Sequence, residues 1–376
     1  VSACGYTWVQ LSSKGWADAS YLYACGGTGA AVNKFGIGLV SAGNTEKWDF
    51  SRGLGGDGGW LLLVFPGVSK TSTGPQSDWV AALQAAYDRN LNPVVRLSPP
   101  WGSSNYRDQS DDTAHRNYTT LANAFKAVVA GLPLKAGQRV FYQIDNEPNL
   151  CPEWFCSPGE PSPISYTEMA AEYANFYVAV ADALHSLGDT RIKVAPAPLA
   201  PGGAIQCGCC GSQNCPGDKG GITGLTYQQA LLAAVPDLYA HADFLSTHSY
   251  PASGVGYGFN APMPAATTGL LYFQQELAVT KRSLSVLVTE TGWATNPPGG
   301  NPPCSESDKA TWTLDAYNSV WLNATAVGGV MPFMLQDATW GGKYGYEYVD
   351  MNNNAVAVYG AVQKLRCATG FNTPPC

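Results

Sequence analysis

Two glutamates offer the clearest chemistry in this chain. Residues 140–149 read Val-Phe-Tyr-Gln-Ile-Asp-Asn-Glu-Pro-Asn, which places Asn146 and Glu147 at the end of an apolar run. Residues 286–293 read Val-Leu-Val-Thr-Glu-Thr-Gly-Trp, which places Glu290 in the same position on another. Two carboxyl groups that face each other can divide a displacement reaction between them. One attacks carbon while the other gives up a proton and later takes one back, the division of labour that cleaves a glycosidic bond. A lone glutamate at a strand end is often structural, so the weight rests on the pair and on what holds it.

Eight short β-branched or apolar runs are predicted to be strands: 35–40, 60–65, 93–97, 140–144, 192–196, 244–248, 285–289 and 329–335. Amphipathic helical patterns alternate with them at 78–89, 121–130, 166–187, 227–239, 267–281, 307–320 and 355–365, with Ser77 and Thr226 as expected N-caps. The first crossover, 41–59, is rich in glycine and is expected to be irregular. Strands that alternate with helices predict one α/β domain, a closed (β/α)8 TIM barrel over 35–376, with residues 1–34 as an N-terminal extension packed on it. An open doubly wound sheet would carry a phosphate loop after its first strand. Here Gly53-Leu54-Gly55-Gly56-Asp57-Gly58-Gly59 precedes a strand instead. The two glutamates then fall on strands four and seven, across the barrel mouth from each other.

Composition narrows the partners. The net charge is −7 without a basic run, which argues against nucleic acid, and no apolar stretch is long enough for membrane insertion. Charged residues are 13% of the chain, about half the usual share, so a neutral substrate is expected. Eleven cysteines fall in local groups: Cys4 and Cys25, Cys151 and Cys156, Cys207 to Cys215, then Cys304, Cys367 and Cys376. Short disulfides stapling loops are the favoured reading, in a secreted, extracellular protein whose leader has been removed. The odd number leaves at least one thiol free or paired outside the chain. Zinc on Cys207, Cys209, Cys210 and Cys215 is the other reading, although the spacing is not that of a zinc ribbon. Asn117 and Asn323 open glycosylation sequons.

Asn146-Glu147-Pro148 and Thr289-Glu290-Thr291-Gly292-Trp293 together resemble the acid/base and nucleophile motifs of clan A of the glycoside hydrolases. The resemblance extends over roughly 35–365 as architecture only and selects no family within the clan. It implies that Glu147 is the acid/base, Glu290 the nucleophile and Asn146 the partner of the sugar 2-hydroxyl, with no cofactor or metal. The expected activity is retaining hydrolysis of a neutral β-linked polysaccharide or oligosaccharide such as a glucan, mannan or xylan. Transglycosylation is a close variant, and the sequence says nothing of protein partners. The alternative class is a non-catalytic glycan-binding or structural wall protein on a glycosidase-like barrel.

Several residues are expected to support the pair. Tyr250 is placed to hydrogen-bond Glu290. His248 is placed to contact nucleophile or substrate, with a structural histidine as the other reading. Asp145 alternates away from the lumen. Arg96 departs from the clan, whose arginine beside the nucleophile comes typically from the second strand rather than the third. Trp101, Trp154, Phe155, Tyr250, Trp293, Trp340, Tyr344 and Tyr346 are loop aromatics that could stack on sugar faces, Trp293 and Trp340 foremost. Trp340 or Gln336 is expected to stand where relatives carry a tryptophan after strand eight. A Cys151–Cys156 disulfide would stiffen the rim beside Glu147.

Overall fold

The computed structural model describes residues 2–3, 6–7, 32–39, 47–100, 109–112, 114, 116–154, 164–202, 222–253, 260–297, 301–338, 341–371 and 375–376. The chain divides into two compact units, Val1–Asn33 and Lys34–Cys376. In the first, Ser2–Ala3 and Tyr6–Thr7 form an antiparallel pair.

The second unit is a (β/α)8 barrel. Its strands are β1 (Gly36–Leu39), β2 (Trp60–Pro66), β3 (Asn92–Ser98), β4 (Val140–Ile144), β5 (Ile192–Pro196), β6 (Phe244–Thr247), β7 (Ser285–Val288) and β8 (Val327–Val330). They pair in parallel as two arcs, β1 to β5 and β6 to β8. Backbone hydrogen bonds join the arcs: Asp243 N–H to Val194 O (2.8 Å) on one seam, and Val330 N–H to Lys34 O (2.8 Å) and Gly38 N–H to Pro332 O (3.0 Å) on the other. These bonds close the two arcs into a barrel, and strands buried on both faces read as the nearly continuous apolar runs seen in the sequence.

The crossover helices are α1 (Trp48–Gly55), α2 (Ser77–Asp88), α3 (Thr119–Gly131), α4 (Tyr166–His185), α5 (Gly224–Ala234), α6 (Tyr272–Thr280), α7 (Glu306–Ala316) and α8 (Ala357–Ala368). Capping boxes start two of them, Ser165 with Glu168 and Ser305 with Asp308. The expected caps shift: Ser77 is the first residue of α2, and Thr223 rather than Thr226 caps α5.

Two expectations are corrected. The first crossover is helical over Trp48–Gly55. Its glycines serve packing, since a Cβ on Gly53 would lie 2.0 Å from the Tyr359 hydroxyl on α8. Strand eight ends at Val330, not at 335. Pro332 has no N–H for the ladder, so the regular strand stops there, although Leu335 N–H still bonds Gly38 O at 2.9 Å.

The barrel interior is packed from below. Trp60, Leu62, Val94, Ala195, Phe244, Leu287 and Met331 form its apolar plug. The Trp60 indole needs glycine opposite it, because a Cβ on Gly329 would fall 2.6 Å from the ring. Above the plug lies a polar layer. Ser246 donates to Gln143 Oε1 (2.9 Å) and shares a 2.9 Å hydrogen bond with the Thr289 hydroxyl. The charged residues sit on top of that layer.

Candidate active site

The turn after β4 brings Glu147 into the mouth. Tyr173 on α4 donates to Ile144 O (2.7 Å) and accepts from Ala197 N–H (2.6 Å), fixing the strand's end between β5 and the helix. The chain then reverses through two left-handed residues, Asp145 (φ 75°) and Glu147 (φ 37°). Non-glycine residues adopt this region at a cost, so the surroundings must impose it. They do so through Glu147 N–H to Pro198 O (3.0 Å), and through Asn149. The buried Asn149 amide donates to Ala200 O and Ile222 O, both at 2.8 Å, and accepts from Ala200 N–H. Asp145 is buried, with its charge felt by Tyr173 and Tyr227 among the helices, on the side away from the lumen.

Five side chains converge in the mouth: Glu147, His248, Glu290, Tyr250 and Arg96. His248 Nδ1 lies 2.7 Å from Glu147 Oε1 and 3.7 Å from Glu290 Oε2. Tyr250 donates to Glu290 Oε2 at 3.1 Å. Arg96 reaches from β3 to within 3.7 Å of Glu290 Oε1, and its other terminal nitrogen lies 3.6 Å from Glu153. One oxygen each from Glu147 and Glu290 and one ring nitrogen of His248 lie within 4.8 Å of one another.

Protonation follows from burial and charge. Burial pushes the Glu147 carboxyl up to about 7, against the pull of Arg96. Burial also raises Glu290, as does the charge of Glu147, while His248, Arg96 and the Tyr250 hydroxyl favour its ionised form. His248 is driven down to about 4 by burial, with Glu290 opposing, so its imidazole is neutral at neutral pH. Its Nε2 is buried with no hydrogen-bond partner among the described residues, and so is Oδ1 of Asn146.

The trio of Glu147, His248 and Glu290 has the spacing of a metal site. Arg96, however, already places a fixed positive charge against Glu290. A divalent cation between the carboxylates would meet that charge at close range.

The remaining expectations divide. Trp293 is a core residue: it is 1% exposed, donates to Ala261 O (2.8 Å) and packs on Trp312. Trp154 is also 1% exposed, among Tyr118, Tyr173 and Phe176. Neither ring is free to stack on a sugar. Gln336 is buried and uses its amide N–H groups on Asp350 O and Asn353 Oδ1, which tie down the loop after β8. Trp101, Trp340, Phe155 and Cys156 lie outside the described residues, as do Cys4, Cys25 and the 207–215 cysteines. Cys367 and Cys376 form a disulfide, and Cys304 is a buried free thiol. Asn117 and Asn323 are both exposed.

Phe333 and Tyr346 complete an aromatic wall that the sequence left unmarked as a unit. Their rings meet edge to face at 5.5 Å, and Tyr346 contacts Tyr250 at 6.3 Å. Phe333 N–H donates to Thr291 O (2.9 Å), which sets the wall beside Glu290. Pro332 interrupts what reads as one apolar strand, but nothing in the sequence shows which way Phe333 turns. Nothing in the local sequence marks Glu153 as a partner of Arg96.

Solved structures share this architecture. A fungal β-1,4-galactanase superposes with a TM-score of 0.54 at 13% identity, over 89% of this chain and 100% of its own. The endo-1,4-β-xylanase XylE of Penicillium canescens gives 0.52 at 15% identity, over 92% and 97%. An endo-β-1,4-glucanase from Xanthomonas axonopodis pv. citri gives 0.51 at 14%, over 88% and 98%. The likeness is one of fold, the (β/α)8 barrel. No family model matches the chain, and no curated protein matches its sequence.

Proposed function

We propose that this chain is a retaining glycoside hydrolase that attacks internal bonds of a neutral β-linked glycan. The observation that carries the proposal is the approach of Glu147 and Glu290 to within 4.8 Å, oxygen to oxygen. Inverting enzymes hold their carboxyl groups roughly 6.5–9.5 Å apart to admit a water, and retaining enzymes about 5–5.5 Å. Burial raises both carboxyls, but the groups that oppose the rise differ. Glu147, pushed up to about 7, keeps a proton to give. Glu290 has Arg96 and the Tyr250 hydroxyl to favour its anion.

In the first step a Glu290 oxygen bonds to the anomeric carbon as the glycosidic C–O bond breaks, and Glu147 passes its proton to the departing oxygen. In the second step Glu147 takes a proton from water, whose oxygen bonds to the same carbon as the bond to Glu290 breaks. In its Nε2–H tautomer the neutral His248 accepts from protonated Glu147 at Nδ1. The buried, unpartnered Oδ1 of Asn146 suits the sugar 2-hydroxyl as donor, a contact that strengthens toward the transition state. Tyr250, Tyr346 and Phe333 offer ring edges and faces to a neutral sugar. The named neighbours act on β-linked glycans, which supports the same bond class here. The Cys367–Cys376 disulfide fits an oxidising, extracellular setting.

Incubation with neutral β-glucans, mannans and xylans, beside a Glu290→Gln control, tests the proposal. Products that first appear as the β-anomer, from wild type only, are expected. First-formed α-anomer overturns the retaining mechanism. Binding without cleavage across the panel, equal in both proteins, favours a structural glycan-binding role.

A further inference from the structure

Behind β6, on the helix side, lies a buried carboxyl group that the reaction above does not use. Glu276 on α6 is 2% exposed. It accepts a short hydrogen bond, 2.5 Å, from the Thr247 hydroxyl. With its proton committed to Glu276, the Thr247 oxygen is left to accept from the Ser249 hydroxyl, 3.0 Å away. Thr247 and Ser249 are the immediate neighbours of His248, and their side chains face the helices while its ring faces the lumen.

The same two residues hold β7. Thr247 O accepts from Thr289 N–H at 3.0 Å, and Ser249 O accepts from the Thr291 hydroxyl at 2.7 Å. Thr289 and Thr291 are the immediate neighbours of Glu290. A carboxyl group outside the barrel is thereby tied to the residues on both sides of His248, and through them to the residues on both sides of Glu290. Gln228 on α5 donates to Glu276 O (3.1 Å) and locks α6 at the level of this chain.

We infer that Glu276 is a positioning residue, a strut that sets the distance of His248 from Glu147 and Glu290 through Thr247 and Ser249. The inference rests on the proposed glycosidase reading for its catalytic consequence, but its geometric content does not. A carboxyl in such a place costs stability unless it fixes something, since an apolar side chain would fill the volume at no desolvation cost. Burial pushes Glu276 up to about 8, so it carries its proton at neutral pH and glutamine is its isostere there. The ionisable groups facing it are the hydroxyls of Tyr239 and Tyr272, each raised chiefly by burial.

The test compares Glu276→Gln, which keeps an acceptor for Thr247, with Glu276→Leu, which fills the space and offers none. Two readouts are taken: steady-state kinetics on the cleaved glycan, and the 15N resonances of the His248 imidazole. Glu276→Leu is expected to lower kcat about tenfold with KM within about twofold, and to move the Nδ1 resonance, while Glu276→Gln leaves both near wild type. If Glu276→Leu does not fold, Thr247→Val cuts the same strut and is read in the same way. A folded Glu276→Leu or Thr247→Val protein with wild-type kcat and an unmoved Nδ1 resonance overturns the inference, whatever its melting temperature. If the wild type releases no sugar, the glycosidase reading fails, and the His248 resonance alone decides the strut.

Discussion

The proton on Glu147 is the quantity most exposed to measurement. With its carboxyl near pH 7, the acid-competent fraction falls as pH rises through neutrality, and kcat/KM is expected to fall with it. On the proposed mechanism the acidic limb belongs to the protonation of Glu290. Removing the guanidinium in Arg96→Met takes away a charge that favours the anions of both Glu290 and Glu147, so the acidic limb should move upward and the alkaline limb with it. An acidic limb that stays in place would mean that Arg96 does not act on the nucleophile. Removing the acid itself should discriminate between leaving groups. Glu147→Gln is expected to lose about 10²–10⁴-fold on the natural glycan. On an aryl glycoside whose phenolate departs without a proton, the loss of the glycosylation step should be far smaller. Equal losses on both substrates would remove Glu147 from the role of acid.

At the scale of elements, helix α1 offers an inverted propensity argument. Gly to Ala in a helix interior ordinarily stabilises by about 1 kcal/mol. At Gly53 the new methyl would meet the Tyr359 hydroxyl at 2.0 Å, and that hydroxyl is held by Phe50 O. Gly53→Ala should therefore lower the melting temperature, and adding Tyr359→Phe should restore much of the loss by removing the oxygen. Additive losses in the double variant would place the strain elsewhere. Residues of this kind also explain what the sequence could and could not show. The strands were legible because burial on both faces demands unbroken apolar runs, and Glu147 and Glu290 because each follows one. The helix over Trp48–Gly55 was hidden because its glycines resemble loop glycines until the partner helix is in place. Phe333 was hidden by an apolar run that continues past the end of its strand. Trp293 misled for a related reason: proximity to Glu290 in sequence says nothing of which way a ring turns, and this one faces α7. Glu276 could not be found at all, since its partners lie on a strand about thirty residues away and only the closed barrel brings them together.

Across the whole molecule, stability and catalysis share the same buried carboxyls. The folded chain holds protons on Glu276 to about pH 8 and on Glu147 to about pH 7, whereas the unfolded chain releases them near its ordinary carboxylate value. Where the folded state binds more protons, stability falls as pH rises. His248 acts in the opposite sense. Its folded value of about 4 lies below the unfolded 6.5, so it costs stability as pH falls through that interval and nothing above it. Between pH 4.5 and 6.5 the two effects oppose each other, and from 6.5 to 8 the carboxyls act alone. The loss in that upper window is of the order of 2 kcal/mol, from about 1.4 kcal/mol per pH unit for each group still protonated when folded. The melting temperature should therefore decline from pH 6.5 to 8 and then level off. Glu276→Gln, which has no proton to lose, should remove the larger part of that decline while the alkaline limb of activity, set by Glu147, stays in place. A decline that survives the substitution unchanged would show that Glu276 does not hold its proton in the folded barrel.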